Sequence, residues 1–160
     1  MIVSLHSYIA FLALAVVLLA FINALNGFLT GREFQQKRDR SLSLAGVAFF
    51  HLQFLIGVIV YFVSAKGFYA LSEVGIGNLS SEARLLALEH PTTNLIAVAL
   101  VTIGWSRHKK ASSDKAKFKS IALFYGMGLV LILSRIPWSQ WAQILVLALL
   151  ENDHCTLPGT

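Results

Sequence analysis

The sequence predicts an all-α, integral-membrane four-helix bundle with both termini outside and a bent or interfacial C-terminal helix. Three observations predict it. Of 160 residues, 56% are hydrophobic and only 13% charged, and the mean hydropathy of +0.69 is well above the balance of a soluble domain. The apolar residues form four long runs that are apolar all round, where a soluble helix would carry a polar outer face, so lipid is the expected outer solvent. The charge, finally, is gathered into two short connectors between the runs.

The first run, residues 2–29, is too long for a signal-peptide core and lacks a basic leader or a small-residue cleavage site, so it reads as a retained transmembrane helix. The second covers 42–65. A connector over 66–82 follows, with Gly67, Gly75, Gly77 and little charge, which suits an irregular or partly helical cap. The third span runs from about 84 to 105 behind an N-cap at Ser80 or Ser81, and the fourth over 120–136. A single helix from 120 to 150 would be about 46 Å long against a hydrocarbon core of about 30 Å. The chain is therefore expected to bend at Pro137, with WSQWAQILVLALL forming an interfacial helix over 138–150. Residues 1–150 make one transmembrane domain, and 151–160 a flexible tail.

Orientation follows from charge. Arg32, Lys37, Arg38 and Arg40 lie in the first connector, and Arg107, Lys109, Lys110, Lys115, Lys117 and Lys119 in the second, ten of the thirteen basic residues. The positive-inside rule puts that side in the cytoplasm and both termini outside. The net charge of +5 is thereby a topology signal; with no aromatic platform among the basic residues, nucleic-acid binding is not indicated. One cysteine, Cys155, excludes an internal disulfide framework and a CxxCH haem attachment.

An unpaired polar group is costly in hydrocarbon, so each ionisable residue inside a span is a candidate. They are His6 in the first span, His51 and Gln53 in the second, Glu89 and His90 early in the third, and Arg135 late in the fourth. Counting rise per residue from the basic side places His6 roughly 34 Å, His90 roughly 22 Å and His51 roughly 14 Å from the inner boundary. His6 and His90 thus fall in the outer half, and His51 nearer the middle. In LEHPTTN, residues 88–94, Pro91 removes a backbone donor, while Thr92, Thr93 and Asn94 can satisfy freed carbonyls or orient the imidazole. Glu89 can hold a ligand tautomer or pair with Arg84 or Arg135. Each has a structural reading beside the functional one: His6 as an interfacial residue, His51 as a hydrogen-bonded imidazole, His90 as part of a polar kink, Arg135 as a snorkelling anchor.

Three imidazoles on three helices of a small bundle are a ligand set for haem iron or another metal, although no HxxxH or HxxEH spacing occurs. Asn23 and Asn26 are weaker candidates, explained by helix-to-helix hydrogen bonds or by capping before Gly27.

The runs FFHLQFLIGVIVYFVS (49–64), LEHPTTNLIAVALVTIGWSRHKK (88–110) and LILSRIPW (131–138), with the early LHSYIAF, resemble a family of small four-span proteins from Bacteroidota commonly labelled cytochrome b or cytochrome b-like. The likeness covers about residues 4–138. HSY stands where the family's opening has HSGW, and the apolar extension after Trp138 is longer than the family's. The resemblance implies a bacterial cytoplasmic (inner) membrane bundle, periplasmic termini and b-type haem, with His6, His51, His90 and Arg135 as the motif residues.

Two function classes stand side by side. In the first, haem b exchanges electrons with a quinol or a respiratory partner. His6 with His90 is the preferred axial pair, His51 with His90 the next, and Arg135 meets the propionates while Glu89 and Asn94 support the ligands. In the second, the chain is a non-catalytic accessory or scaffold subunit of a larger membrane complex. No G-x-S-x-G elbow, phosphate-cradling glycine loop or paired membrane carboxylates support hydrolysis, and no inverted repeat supports a transporter.

Overall fold

A computed structural model of the chain describes residues 2–141. Helix α1 spans Ile2–Thr30 and stops at Gly31, whose φ of +67° breaks the helix while its N–H still reaches the Gly27 carbonyl at 3.1 Å. A short extended stretch leads through a widened turn, Gln36–Arg40, into α2, Ser41–Val63. The connector then folds back at Gly67, where a Cβ would lie 2.1 Å from the Tyr61 carbonyl oxygen, so only glycine fits. It continues as the short helix α3, Phe68–Val74, and a 3-10 turn, Ile76–Asn78.

Ser80 caps α4, Ser81–Arg84, by accepting from the Ala83 N–H at 3.2 Å. A widened turn, Leu85–Glu89, carries α4 into α5, His90–Lys110. Pro91 supplies the reason for the widening. It offers no N–H to the Ala87 carbonyl and its ring would crowd that group, so the helix opens by one residue just before it.

Helix α5 runs five residues past the expected end at 105, and α6, Asp114–Ser134, starts six before the expected start at 120. The second basic connector is thus mostly helix, because Lys, Arg and Ala are good helix formers and cations suit a helix C-terminus. Ser113 caps α6 through the Ala116 N–H at 3.3 Å. Helix α6 ends before Pro137, and a new helical turn begins at Trp138, stacking Trp141 on Phe11 with centroids 4.0 Å apart. Most of the helix expected over 138–150, and the tail 151–160, lie outside the described residues.

The described residues are all-helical, with four stretches long and apolar enough to cross a membrane: Ile2–Thr30, Gln36–Val74, Ser81–Lys110 and Asp114–Ser134. They form an up-down-up-down bundle in which α1 and α5 each pack on α2 and α6, so α1 and α5 are diagonal. Close approach rests on glycines: a Cβ at Gly27 would sit 2.5 Å from the Phe118 ring, and one at Gly104 2.6 Å from Phe124 Cβ. Around them Val17, Ala20, Val101, Phe118, Ile121 and Tyr125 are fully buried.

The end of the bundle carrying the two basic connectors is closed by a polar knot. Asp39, buried, accepts from Arg32 at 2.7 and 2.9 Å, Asn23 Nδ2 at 2.9 Å, the Gln35 N–H at 2.8 Å and Arg38 at 3.1 Å. Desolvation pushes the Asp39 carboxyl up, but these donors together outweigh it and hold the group well below the usual carboxylate range. The Asp39 carboxylate, by hydrogen bond and charge, in turn raises Arg32 against the desolvation that lowers it.

Candidate functional site

The site lies at the opposite end, where packing loosens. The last buried residue of α2 is Phe50, although the helix continues to Val63, and α5 buries nothing before Ala97. Between these stretches α1 and α5, the diagonal pair, bring His6 and His90 together, with ring centroids 6.5 Å apart and planes at 86°.

Each ring is held differently. His90 Nδ1–H donates to the Arg135 carbonyl at 2.9 Å, a group that only accepts, so the neutral ring keeps a free lone pair on Nε2. His6 faces the Gln53 amide. Gln53 Nε2 donates to the His6 carbonyl at 2.9 Å, which identifies it as the nitrogen, and lies 3.0 Å from His6 Nδ1 and 3.4 Å from its Nε2. The nearer ring nitrogen therefore accepts, which puts the proton of a neutral His6 on Nε2. Gln53 Oε1 is the one buried polar side-chain atom without a partner among the described residues. Gly57, one turn along α2, makes room for the ring: a Cβ there would come within 3.2 Å of His6 Cε1.

Glu89 spans the mouth of the site. Its Oε1 takes Arg84 Nε at 3.1 Å and its Oε2 takes Arg135 Nε at 3.2 Å, so it pairs with both arginines and fastens the turn before α5 to the end of α6. Thr92 Oγ1 donates to the Leu88 carbonyl at 2.6 Å beside the widened turn. Asn94 is half-buried and makes no side-chain hydrogen bond among the described residues.

His51 is elsewhere. Exposed on α2, its Nδ1 donates to the Val47 carbonyl at 2.8 Å and its Nε2 lies 3.3 Å from Thr102 Oγ1 on α5. Only Nδ1 is thereby engaged, since the one hydroxyl proton of Thr102 goes to the Val98 carbonyl at 2.7 Å. Two positions on a helix turn through about 200°, so His51 and Gln53 point to opposite faces of α2. The structure thus gathers His6, Gln53, Glu89, His90 and Arg135, and leaves His51 apart.

Gln53 stood among the sequence candidates; the signals left unread are the face it shares with Gly57 at i, i+4, and Asp39, an acid inside a basic connector. Among the described residues no three His, Cys, Asp or Glu side chains cluster as a metal site would require. The arrangement offers one free imidazole lone pair at His90, a second imidazole opposite it, and an unpaired amide oxygen beside the second. No protein-family model matches the chain, nor does a curated protein or a solved structure.

Proposed function

We propose that the chain is a multi-pass protein of a bacterial cytoplasmic membrane, termini periplasmic, that holds b-type haem between His6 and His90 and passes electrons between a quinol and a respiratory partner. The four apolar helices support the membrane reading, and the ten basic residues of two connectors at one end support the orientation.

The observation that carries the haem reading is the imidazole pair: two rings from diagonal helices at 6.5 Å and 86°. With metal–nitrogen bonds of about 2 Å and each ring centroid about 1 Å behind its nitrogen, two imidazoles sharing one metal stand about 6 Å apart. Two protein donors suit an iron whose other positions a macrocycle fills. His90 fits outright, since its Nδ1–H on a backbone carbonyl is the usual support of a ligating imidazole. His6 fits only with a shift of Gln53: its accepting Nδ1 is taken by the amide nitrogen at 3.0 Å, which must leave the ring while keeping its bond to the His6 carbonyl. Arg135, half-exposed, is the cation for a propionate. When bound, haem supplies a one-electron couple whose potential the axial ligands and the burial of the site tune.

The test is a reduced-minus-oxidised visible spectrum of the purified chain expressed with ample haem, repeated for His6→Ala, His90→Ala and His51→Ala. Sharp b-type bands are expected in the native chain and in His51→Ala, and are lost or shifted in the other two. A colourless, helical native protein that co-purifies with neighbours sinks the haem reading and puts the accessory-subunit role in its place.

A further inference from the structure

The basic end holds a second feature that the haem reading does not use. A cleft of about 270 Å³ opens there, lined by Phe34, Gln36, Arg40, His108, Lys109 and Lys117. Three separate segments build it: the connector after α1, the end of α5 and the start of α6. Its floor is apolar and aromatic, for Phe34 is buried, with its ring centroid 5.0 Å from that of Phe118 and 5.8 Å from that of His108. His108 is itself buried and donates from Nδ1 to the Trp105 carbonyl.

The rim is cationic beyond what the chain neutralises. Lys117 is paired with Asp114 at 2.8 Å and lies over the Phe34 ring at 5.5 Å. Arg40 and Lys109 have no carboxylate within 4.0 Å among the described residues. Lys109 is instead drawn 5.5 Å over the Trp105 ring, at the rim rather than out in solvent. Asp39, one residue from Arg40, is already saturated by five donor contacts and offers Arg40 nothing.

We propose that this cleft binds the phosphate of an anionic lipid headgroup, with Arg40 and Lys109 as its charge partners and Phe34 receiving the apolar part behind the phosphate. The inference rests on the membrane-spanning part of the reading above and not on haem. In that reading the cleft stands at headgroup depth, since the apolar run of α2 starts at Leu42, two residues beyond Arg40, and Trp105 lies within one turn of Lys109. A phosphate there joins the two connectors, whose like charges otherwise repel across the cleft.

The test uses the full chain in a zwitterionic detergent, titrated with phosphatidylglycerol, phosphatidylcholine or inorganic phosphate while thermal unfolding is followed by circular dichroism. Phosphatidylglycerol is expected to stabilise saturably and phosphatidylcholine not. Removing a cation by Arg40→Gln or Lys109→Gln weakens the apparent affinity about fivefold, and the double variant about twenty-five-fold. Lys37→Gln with Lys119→Gln removes the same charge at the same end outside the cleft and leaves the affinity within about twofold. Equal weakening by the two pairs, or equal stabilisation by the two lipids, overturns the site. Inorganic phosphate matching phosphatidylglycerol at equal concentration overturns the lipid source and assigns the cleft to the free anion. A colourless protein affects none of these outcomes, so failure here and failure of the haem reading stay distinct.

Discussion

At the basic end a buried carboxylate, Asp39, has its oxygens filled by five donor contacts from four residues. At the opposite end a buried amide oxygen, Gln53 Oε1, has none. The helices differ in the same way: glycine-mediated contacts such as Gly27 on Phe118 and Gly104 on Phe124 close the first end, whereas α2 buries nothing beyond Phe50 at the second. A saturated polar group in a packed setting secures the fold. An unsaturated one beside two facing imidazoles, in a setting that is not packed tight, holds capacity for something else.

The largest way to break this comparison is Asp39→Asn. It leaves Arg32, which also lies 4.5 Å over the Phe118 ring, without its counter-charge, and a broken buried pair costs about 3–5 kcal/mol. Unfolding in mixed micelles measures it; a loss below about 1 kcal/mol would mean the knot is decorative. The pH dependence has a definite sign. Because the folded Asp39 carboxyl is held below its ordinary value of 3.8, its contribution is fully present above that pH and is lost only as pH falls through the folded value. The native chain should therefore show no loss from this group between pH 5 and pH 8, and Asp39→Asn should flatten the decline seen in stronger acid.

Next in size is Gly104→Ala. Its Cβ would stand 2.6 Å from Phe124 Cβ, so the α5–α6 contact must open, at about 1–3 kcal/mol. The same substitution at Gly57 meets only the edge of the His6 ring at 3.2 Å, which can yield. Gly57→Ala should leave the unfolding midpoint nearly unchanged while displacing His6, and if His6 and His90 hold haem as proposed, the visible spectrum should shift where the stability of the apo chain does not.

Much of the fold was legible from residue order. Four runs apolar on every side, with two clusters of cations between them, leave few alternatives to a bundle of four long apolar helices, and Ser80 could be read as a cap before the third of them. The extent of α5 and α6 was not legible, because Arg107 to Lys119 looks like solvated connector by hydropathy while its Lys, Arg and Ala residues are strong helix formers. Part of the site was also legible: hydropathy exposes each of His6, His90, Glu89 and Arg135 as costly in a span. Depth counting already set His51 apart, nearer the middle than His6 and His90; what it cannot give is the azimuth of a side chain, which puts Gln53 beside His6 and turns His51 to the opposite face of α2. Nor could it show that Asp39 is buried, since an acid among Arg32, Lys37, Arg38 and Arg40 reads as surface charge until the connector folds back onto Asn23.

The sharpest form of the comparison is the smallest effect. Gln53→Leu removes the hydrogen bonds to the His6 ring and carbonyl, worth about 1 kcal/mol each, and also removes a buried unpaired acceptor that costs about 1–3 kcal/mol. These terms oppose, so the apo variant should unfold within about 1 kcal/mol of the native chain, against the several lost at Asp39. If His6 ligates a metal with Gln53 steadying it through the His6 carbonyl, the same change should weaken haem retention by about 10–100-fold. A polar residue that contributes little to stability and much to retention is kept for the ligand. If Gln53→Leu instead unfolds the chain as Asp39→Asn does, the two ends are alike, and the loosely packed end has lost its claim to a site.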